Sequence, residues 1–542
     1  SVPPSPTHTP TLRADQPQKG RSTRGRRIMD WDKDSVADAG LAKIDLLSLP
    51  VLDQIEETLD LIEEKEGKRP DLAGIDPEDP RVYGLINKGL CKGVFLLQSP
   101  AQLKIARRLR SRSLQDLAYQ VALIRPGVGV QDSAVSQFVE RYRHNTPWDY
   151  DHPLEERALK RGCGIIIWQE QAVQLITDVA GMTAAEADEL RRAFTRPNNE
   201  QLVAAHRQRF LAGARRNGVP AKTAERVFAK INGHYMFPES HSHAFAVTAY
   251  QAAWLKRHHP LEFYTALVNN QPTGFYPLET IKQDARRFRV PFLNPCVNRS
   301  QVKCAPHHGS ARLGLKLVKD IGEQAAALIV AERRNDGPYT NAGDLVRRTG
   351  LNPQAVLSLI QAGALDNTTP NRRQALWDAG LPTPPTNNGQ RTLPLTQGNT
   401  APPLQDFTDY EKMAGEYQTL GIYPKGHIMD FIRPTLNPHI LPAAEVETRG
   451  DGEPVTVAGW PIARQHPKGH NNTVYVTIED ETGHTQLTLP PHTYTQHQKT
   501  LQHHLIQATG RTSKQDGTTN LKATDLHAIP TTITMPPTHN WH

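Results

Sequence analysis

Lys43 and Asp45 stand two residues apart inside the apolar run GLAKIDLLSLPVL (40–52). Read as a strand, that spacing puts both side chains on one face. A carboxylate in an apolar strand is costly unless it is paired or holds a metal. An Asp beside a Lys suits a metal-and-phosphate site, the carboxylate holding Mg²⁺ and the ammonium meeting phosphate oxygens. A strand-end ion pair is the plainer alternative. Other stretches carry groups suited to anions. VALIRPGVG puts Arg125 before a Pro-Gly turn, and GIIIWQEQAVQLI puts Gln169, Glu170 and Gln171 after a buried strand-like run. ADELRRAF sets Arg191 and Arg192 together on a helix, and FPESHSHAFAVTAYQAAWLKRHHP holds Ser240, His241, Tyr250 and Lys256. The SHSH pair does not read as a metal site, because His residues at i and i+2 do not share a helix face and no carboxylate follows at ligand spacing. Cys296 and Cys304, followed by His307 and His308, match no common zinc spacing.

The elements that must position these groups fall into blocks. Residues 1–28, rich in Pro, Thr and Arg, read as a disordered basic tail. Residues 29–50 read as a short helix or turn leading into the strand that carries Asp45. Residues 51–290 read as mainly helical: VLDQIEETLDLIEEKEG has helical periodicity ending at Gly67, and TAAEADELRRAF opens with Thr183 and Glu186 at capping-box spacing. Residues 291–366 read as two helical hairpins with Gly322 and Gly350 at the turns, where backbone N–H groups could meet a phosphate; an ordinary helical hairpin is the alternative. Residues 367–452 read as a Pro/Asn/Thr linker followed by a short helical segment at 408–432. At 453–530 the pattern switches to period two. Five short strands, with DETG (480–483) as a hairpin turn, suit a small barrel, and an OB-fold is the leading choice. Residues 531–542 read as a loose tail. The fold class expected is multidomain α+β: a helical region, a helix-hairpin-helix module and a C-terminal OB-fold barrel.

Bulk composition agrees. A chain of 542 residues with 37% hydrophobic content supports several cores but carries no apolar run long enough to span a membrane, and its N-terminus has no secretory apolar region. Four scattered cysteines fit a reducing, cytoplasmic setting. The net charge is only +7, yet KIARRLRSRS (104–113) and RRAFTR (191–196) concentrate arginine, which suits a polyanionic partner as well as a solvated helix face. The chain begins with Ser rather than Met and is expected to be a fragment or a processed product.

Taken together, WDKDSVADAGLAKIDLLSL, GVFLLQSPAQ, VALIRPG, IIIWQEQAVQL, ADELRRAF, FPESHSHAFAVTAYQAAWLKRHHPLEF, LGLKLVKDIGE and VTVAGWPIARQHPKGHNNTVYVTIEDETG resemble, in order, the C-terminal half of the bacterial DNA polymerase III alpha subunit, nearest its error-prone class. The resemblance implies template-directed DNA synthesis by two-metal phosphoryl transfer. In it, Asp45 is a metal carboxylate on the last palm strand (29–50) and Lys43 approaches the triphosphate or primer end. Residues 51–290 are the fingers, with Arg125, Arg191 and Arg192 on phosphates and Ser240 and His241 on the incoming nucleotide. Gly322 and Gly350 meet DNA in the hairpins, and the barrel handles single-stranded template through Trp460 and Tyr475, for both of which core packing is the alternative. The partners implied are primer-template DNA, dNTPs, a sliding clamp and a Y-family-like adaptor. The resemblance breaks at RPGVGVQD, RRAFTRPN, FLLQSP and NPCVNRS, and the family's upstream Asp-x-Asp metal pair is missing: DWDKD (30–34) has the letters but matches the separate segment that leads into the Asp45 strand. The remaining carboxylates are therefore expected outside this chain, and the chain alone is expected to be inactive. A catalytically inactive DNA-binding remnant is the alternative.

Overall fold

A computed structural model describes residues 49–124, 132–194, 200–231, 236–272, 274, 276–380, 403–466, 473–515 and 518–531, with short pieces at 11–13, 27–29, 36, 39–41 and 539–541. Two units are distinguished, Ser1–Pro50 and Val51–His542. In the first, β1 (Thr11–Arg13) and β2 (Arg27–Met29) pair antiparallel, Thr11 opposite Met29. This pair lies in the stretch read as a disordered tail; strands of three residues are too short to show a period in sequence. The Asp45 strand lies outside the described residues.

The second unit opens with α1 (Pro50–Glu66), whose buried stripe Val51, Ile55, Leu59 and Ile62 follows helical spacing and ends at Gly67 with φ +69°. Next come α2 (Pro80–Asn87) and α3 (Pro100–Leu109), each with Pro in its first turn behind a capping Asp79 or Ser99. They are followed by α4 (Leu114–Leu123) and α5 (Asp132–His144). Four helices then close a core around Leu175, Ile176, Leu190, Phe210 and Phe228: α6 (Gln169–Ala180), α7 (Ala184–Ala193), α8 (Glu200–Arg216) and α9 (Ala221–Ile231). The capping box read at Thr183 and Glu186 is formed. Gly213 lets α8 cross close to α6, since a Cβ there would collide with the Ala180 carbonyl. The long α10 (Glu239–His258) lies along α4, and α11 (Pro260–Asn269) and α12 (Leu278–Arg287) complete the helical region.

A three-stranded sheet, β3 (Phe292–Leu293), β4 (Ala305–His307) and β5 (Ser310–Arg312), precedes the hairpin helices α13 (Glu323–Asp336), α14 (Ala342–Thr349) and α15 (Pro353–Gln361). Gly322 is the N-cap of α13, and Gly350, at φ +62°, ends α14. Cys304 is buried beside this sheet, its sulfur accepting the Gly314 N–H at 3.2 Å. The stretch read as linker contains a helix, α16 (Arg372–Gly380). It is fixed by the buried Arg372 guanidinium, bonded to Asp366 at 2.8 Å and to Glu416 of α17 (Asp409–Leu420) at 2.6 Å.

The five period-two segments form a closed barrel: β6 (Pro454–Gln465), β7 (Val474–Glu479), β8 (His484–Leu489), β9 (Ile506–Gln515) and β10 (Thr518–Ala528), in the order β6-β7-β8-β10-β9 and back to β6. All contacts are antiparallel except β8–β10. This is the five-stranded barrel expected of an OB-fold, filled by Val457, Val476, Ile478, Leu487, Leu521 and their neighbours. A sixth strand, β11 (His539–Trp541), adds parallel to β6 within the stretch read as a loose tail.

Candidate nucleotide site and nucleic-acid surfaces

Helices need acceptors for their first N–H groups. Neither α6 nor α10 has a capping hydroxyl or carboxylate in front of it, for the preceding residues are Trp168 and Pro238. The two ends supply each other. The Gln169 N–H donates to the Phe237 carbonyl at 3.0 Å, and the Glu239 N–H donates to Glu170 Oε2 at 2.9 Å. Trp168 Nε1 donates to Ser242 Oγ at 3.0 Å, which donates on to the Glu239 carbonyl at 2.7 Å. Gln171 turns back to accept from the Ile167 and Trp168 amides at 2.8 and 3.0 Å. Arg161 pairs with the Glu239 carboxylate and lies over the Trp168 ring.

On the other side of Glu170 lies an open cavity of about 330 Å³, bordered by Arg157, Gln169, Glu170, Gln174, Asp188 and Arg191. Arg191 is held by Asp188 at 2.7 Å, and the more exposed Arg192 reaches the same carboxylate at 2.8 Å. The paired arginines thus share one carboxylate, Asp188. Ser240 and His241 follow Glu239 on the first turn of α10, and both are exposed. His241 continues into an aromatic row. It lies 5.0 Å from Phe237 and 3.8 Å from Phe245, which meets Phe95 edge-on at 5.4 Å. Glu170 therefore joins two groups picked out in the sequence, Arg191 with Arg192 and Ser240 with His241.

Lys43, Asp45 and Arg125 lie outside the described residues. Tyr250 and Lys256 are structural. The Tyr250 hydroxyl donates to the Asp76 carbonyl at 2.6 Å, and the wholly buried Lys256 bonds Asp284 and the Lys92 carbonyl, each at 2.7 Å. Although burial alone would raise the Asp284 carboxyl, Lys256 and Lys92 hold it below its usual range. Gly322 and Gly350 stand at helix ends as expected. Trp460 corrects its expected role. It is 0% exposed and offers no face to a strand, whereas Tyr475 on β7 is half-buried opposite Gln465 and Thr488.

The sequence did not signal how the barrel is attached. The β7–β8 hairpin meets α12 and the turn at Lys92 through buried polar groups. Lys92 faces Glu479 at 3.8 Å and His484 Nδ1 at 3.4 Å, and Thr280 donates to Glu479 at 2.9 Å. Nearby, Lys282 pairs with Glu279 at 2.6 Å and donates to the Tyr423 and Gly426 carbonyls. Burial pushes the Glu479 carboxyl up and the Lys92 ammonium down, each opposed by its partner's charge.

Three family models match the chain. Residues 51–218 match the bacterial DNA polymerase III alpha subunit finger domain, residues 289–375 a helix-hairpin-helix motif, and residues 455–529 an OB-fold nucleic acid binding domain. The chain is similar to proteins named error-prone DNA polymerase. That of Corynebacterium diphtheriae is 35% identical over 469 residues, covering 86% of this chain and 44% of the relative. That of Mycobacterium tuberculosis strain H37Rv is 36% identical over 480 residues, covering 88% and 43%. That of Corynebacterium glutamicum is 38% identical over 462 residues, covering 84% and 43%. The chain therefore spans less than half the length of these relatives.

Proposed function

Because the chain belongs to the bacterial DNA polymerase III alpha-subunit family, we propose that it supplies the nucleotide-gripping and strand-handling parts of template-directed, error-prone DNA synthesis. The observation that carries this reading is the convergence at Glu170, which borders the Arg191 cavity and bonds the turn bearing Ser240 and His241. Arg191 and Arg192 exchange Asp188 for the triphosphate and neutralise it where charge develops. The Ser240 hydroxyl and amide, next to the Glu239 amide that Glu170 holds, donate to a phosphate oxygen, as helix N-termini do. The row His241, Phe245 and Phe95 offers a stacking face to a base. Arg125 adds a further phosphate contact and Lys43 meets the triphosphate or primer end.

Among the described residues no group of three His, Cys, Asp or Glu is disposed to hold a metal, and Asp45 lies outside them. Asp45 would hold the proposed ion, Mg²⁺, which would supply activation of the primer 3′-hydroxyl. The hairpins, through Gly322 and Gly350, meet duplex phosphates, and the barrel, through Tyr475, meets single-stranded template. A sliding clamp and a Y-family-like adaptor are the proposed protein partners, and the cytoplasm the proposed location. No helix among the described residues is long and apolar enough to cross a membrane.

Primer extension with Mg²⁺ and all four dNTPs, run with the palm-bearing portion of a relative added, tests the reading. Extension should appear, and Arg191→Ala should raise the dNTP KM about tenfold, the loss of one charge-assisted contact. No extension in any combination, with salt-dependent DNA binding intact, would make this a non-catalytic DNA-binding protein.

A further inference from the structure

We infer that Glu170 is a positioning residue for the nucleotide site, acting by holding the first turn of α10 in place; this rests on the reading of Ser240 and His241 given above. Pro238 precedes α10 and has no side-chain oxygen, so the first amide of the helix has no local acceptor. Glu170 Oε2 supplies one from 69 residues away, at 2.9 Å from the Glu239 nitrogen. Ser240 and His241 are the next two residues, so the hydrogen bond that places Glu239 places them as well. A carboxylate at a helix N-terminus is also favoured by the helix dipole.

The remaining contacts make the turn a fitted part rather than a loose end. Trp168 is fully buried and its indole N–H reaches Ser242, itself fully buried, one helical turn into α10. Arg161 closes over the outside by pairing with the Glu239 carboxylate. Of these groups, Glu170 alone also borders the cavity of Arg191. It therefore sets the distance between the arginines that take the phosphates and the turn that takes the rest of the nucleotide. A carboxylate beside a phosphate cavity repels the phosphates, so its charge works against binding while its hydrogen bond works for it. The two effects separate in Glu170→Gln, which keeps an oxygen acceptor and loses the charge.

The experiment compares Glu170→Ala, Glu170→Gln and Ser240→Ala in the full chain. It reads amide hydrogen exchange over the first turn of α10, affinity for a fluorescent dNTP in the presence of primer-template DNA, and the unfolding midpoint. Glu170→Ala should lose at least about tenfold of the protection at the Glu239 amide and bind dNTP about tenfold more weakly, one hydrogen bond's worth of order. Its unfolding midpoint should stay close to that of the parent chain. Glu170→Gln should keep the protection and bind dNTP as tightly as the parent or more so. If Ser240→Ala weakens dNTP binding and Glu170→Ala does not, the inference is wrong and the nucleotide reading stands. The inference is also wrong if Glu170→Gln is as harmful as Glu170→Ala, because charge and not the hydrogen bond would then matter. If Ser240→Ala has no effect on dNTP affinity, the nucleotide reading falls and takes this inference with it.

Discussion

Lys92, in the turn after α2, faces Glu479, the last residue of β7, across 3.8 Å with both side chains sealed from water. Removing one partner of such a pair leaves the other charge buried and uncompensated, at about 3–5 kcal/mol. Lys92→Met should therefore lower stability by about that amount. Lys92→Met combined with Glu479→Gln should recover most of it, because Thr280 can still donate to the amide oxygen. Denaturant titrations of the two singles and the double give the coupling. A double variant as unstable as the sum of the singles would refute it.

Acid should loosen the same region. Lys92, together with burial, pushes the His484 imidazole well below its usual range, and burial beside Lys282 does the same to His427. Both are neutral in the fold, so below about pH 6.5 the unfolded chain takes up protons that the folded chain does not. Their contribution is fully present above pH 6.5 and is lost as pH falls, at about 1.4 kcal/mol per unit for each histidine. Denaturation midpoints measured from pH 7.5 down to pH 5 should still fall, although the Glu479 carboxyl, pushed up to about 7 by burial, takes up a proton in the fold over this window and offsets part of the loss. His427→Asn, which can still accept the Met429 N–H, should show a shallower slope whatever its absolute stability.

Gly213→Ala should cost about 1–3 kcal/mol, because the added methyl meets the Ala180 carbonyl and neither helix can retreat without opening the core around Phe210. Gly218→Ala, at the end of α8 with open space around it but φ +78°, tests backbone strain alone. A denaturation series in which Gly213→Ala is neutral would show that α8 is free to shift.

On the barrel, Tyr475→Ala should weaken single-stranded DNA binding by about 1–3 kcal/mol, the usual range for one stacked base, measured by anisotropy across a salt series. Trp460→Phe should change stability rather than affinity, since its ring is wholly buried. The opposite order of effects would mean that the barrel rearranges to bind.

The barrel was legible because its strands alternate and its turns carry Gly, Asp and Pro; the five expected segments match β6 to β10 to within a few residues. Trp460 was not, because Ala458 to Ala463 are buried on both faces, where β6 runs between β7, β9 and β11, and alternation says nothing there. Helix α16 was hidden for a different reason. It depends on the buried pairing of Arg372 with Glu416, 44 residues on, a contact that no local pattern announces. Within the site, the Arg191–Arg192 pair could be read from its spacing. Glu170 stood out only as part of WQEQ, and its partner amide, 69 residues away, gave it a task that the motif itself does not spell out.

The attachment through Lys92 and Lys282 has a mechanical consequence. Lys282 pins the carbonyls of Tyr423 and Gly426 in the segment that leads to the barrel, and Lys92 and Thr280 pin the β7–β8 hairpin itself, so the barrel is sutured to α12 and the turn at Lys92 through buried groups. A tether of that kind transmits force. Tension on a strand seated on the barrel is passed to α12 and the helices around it instead of being absorbed by a hinge, and the barrel behaves as a lever arm whose fulcrum is a handful of dry charges.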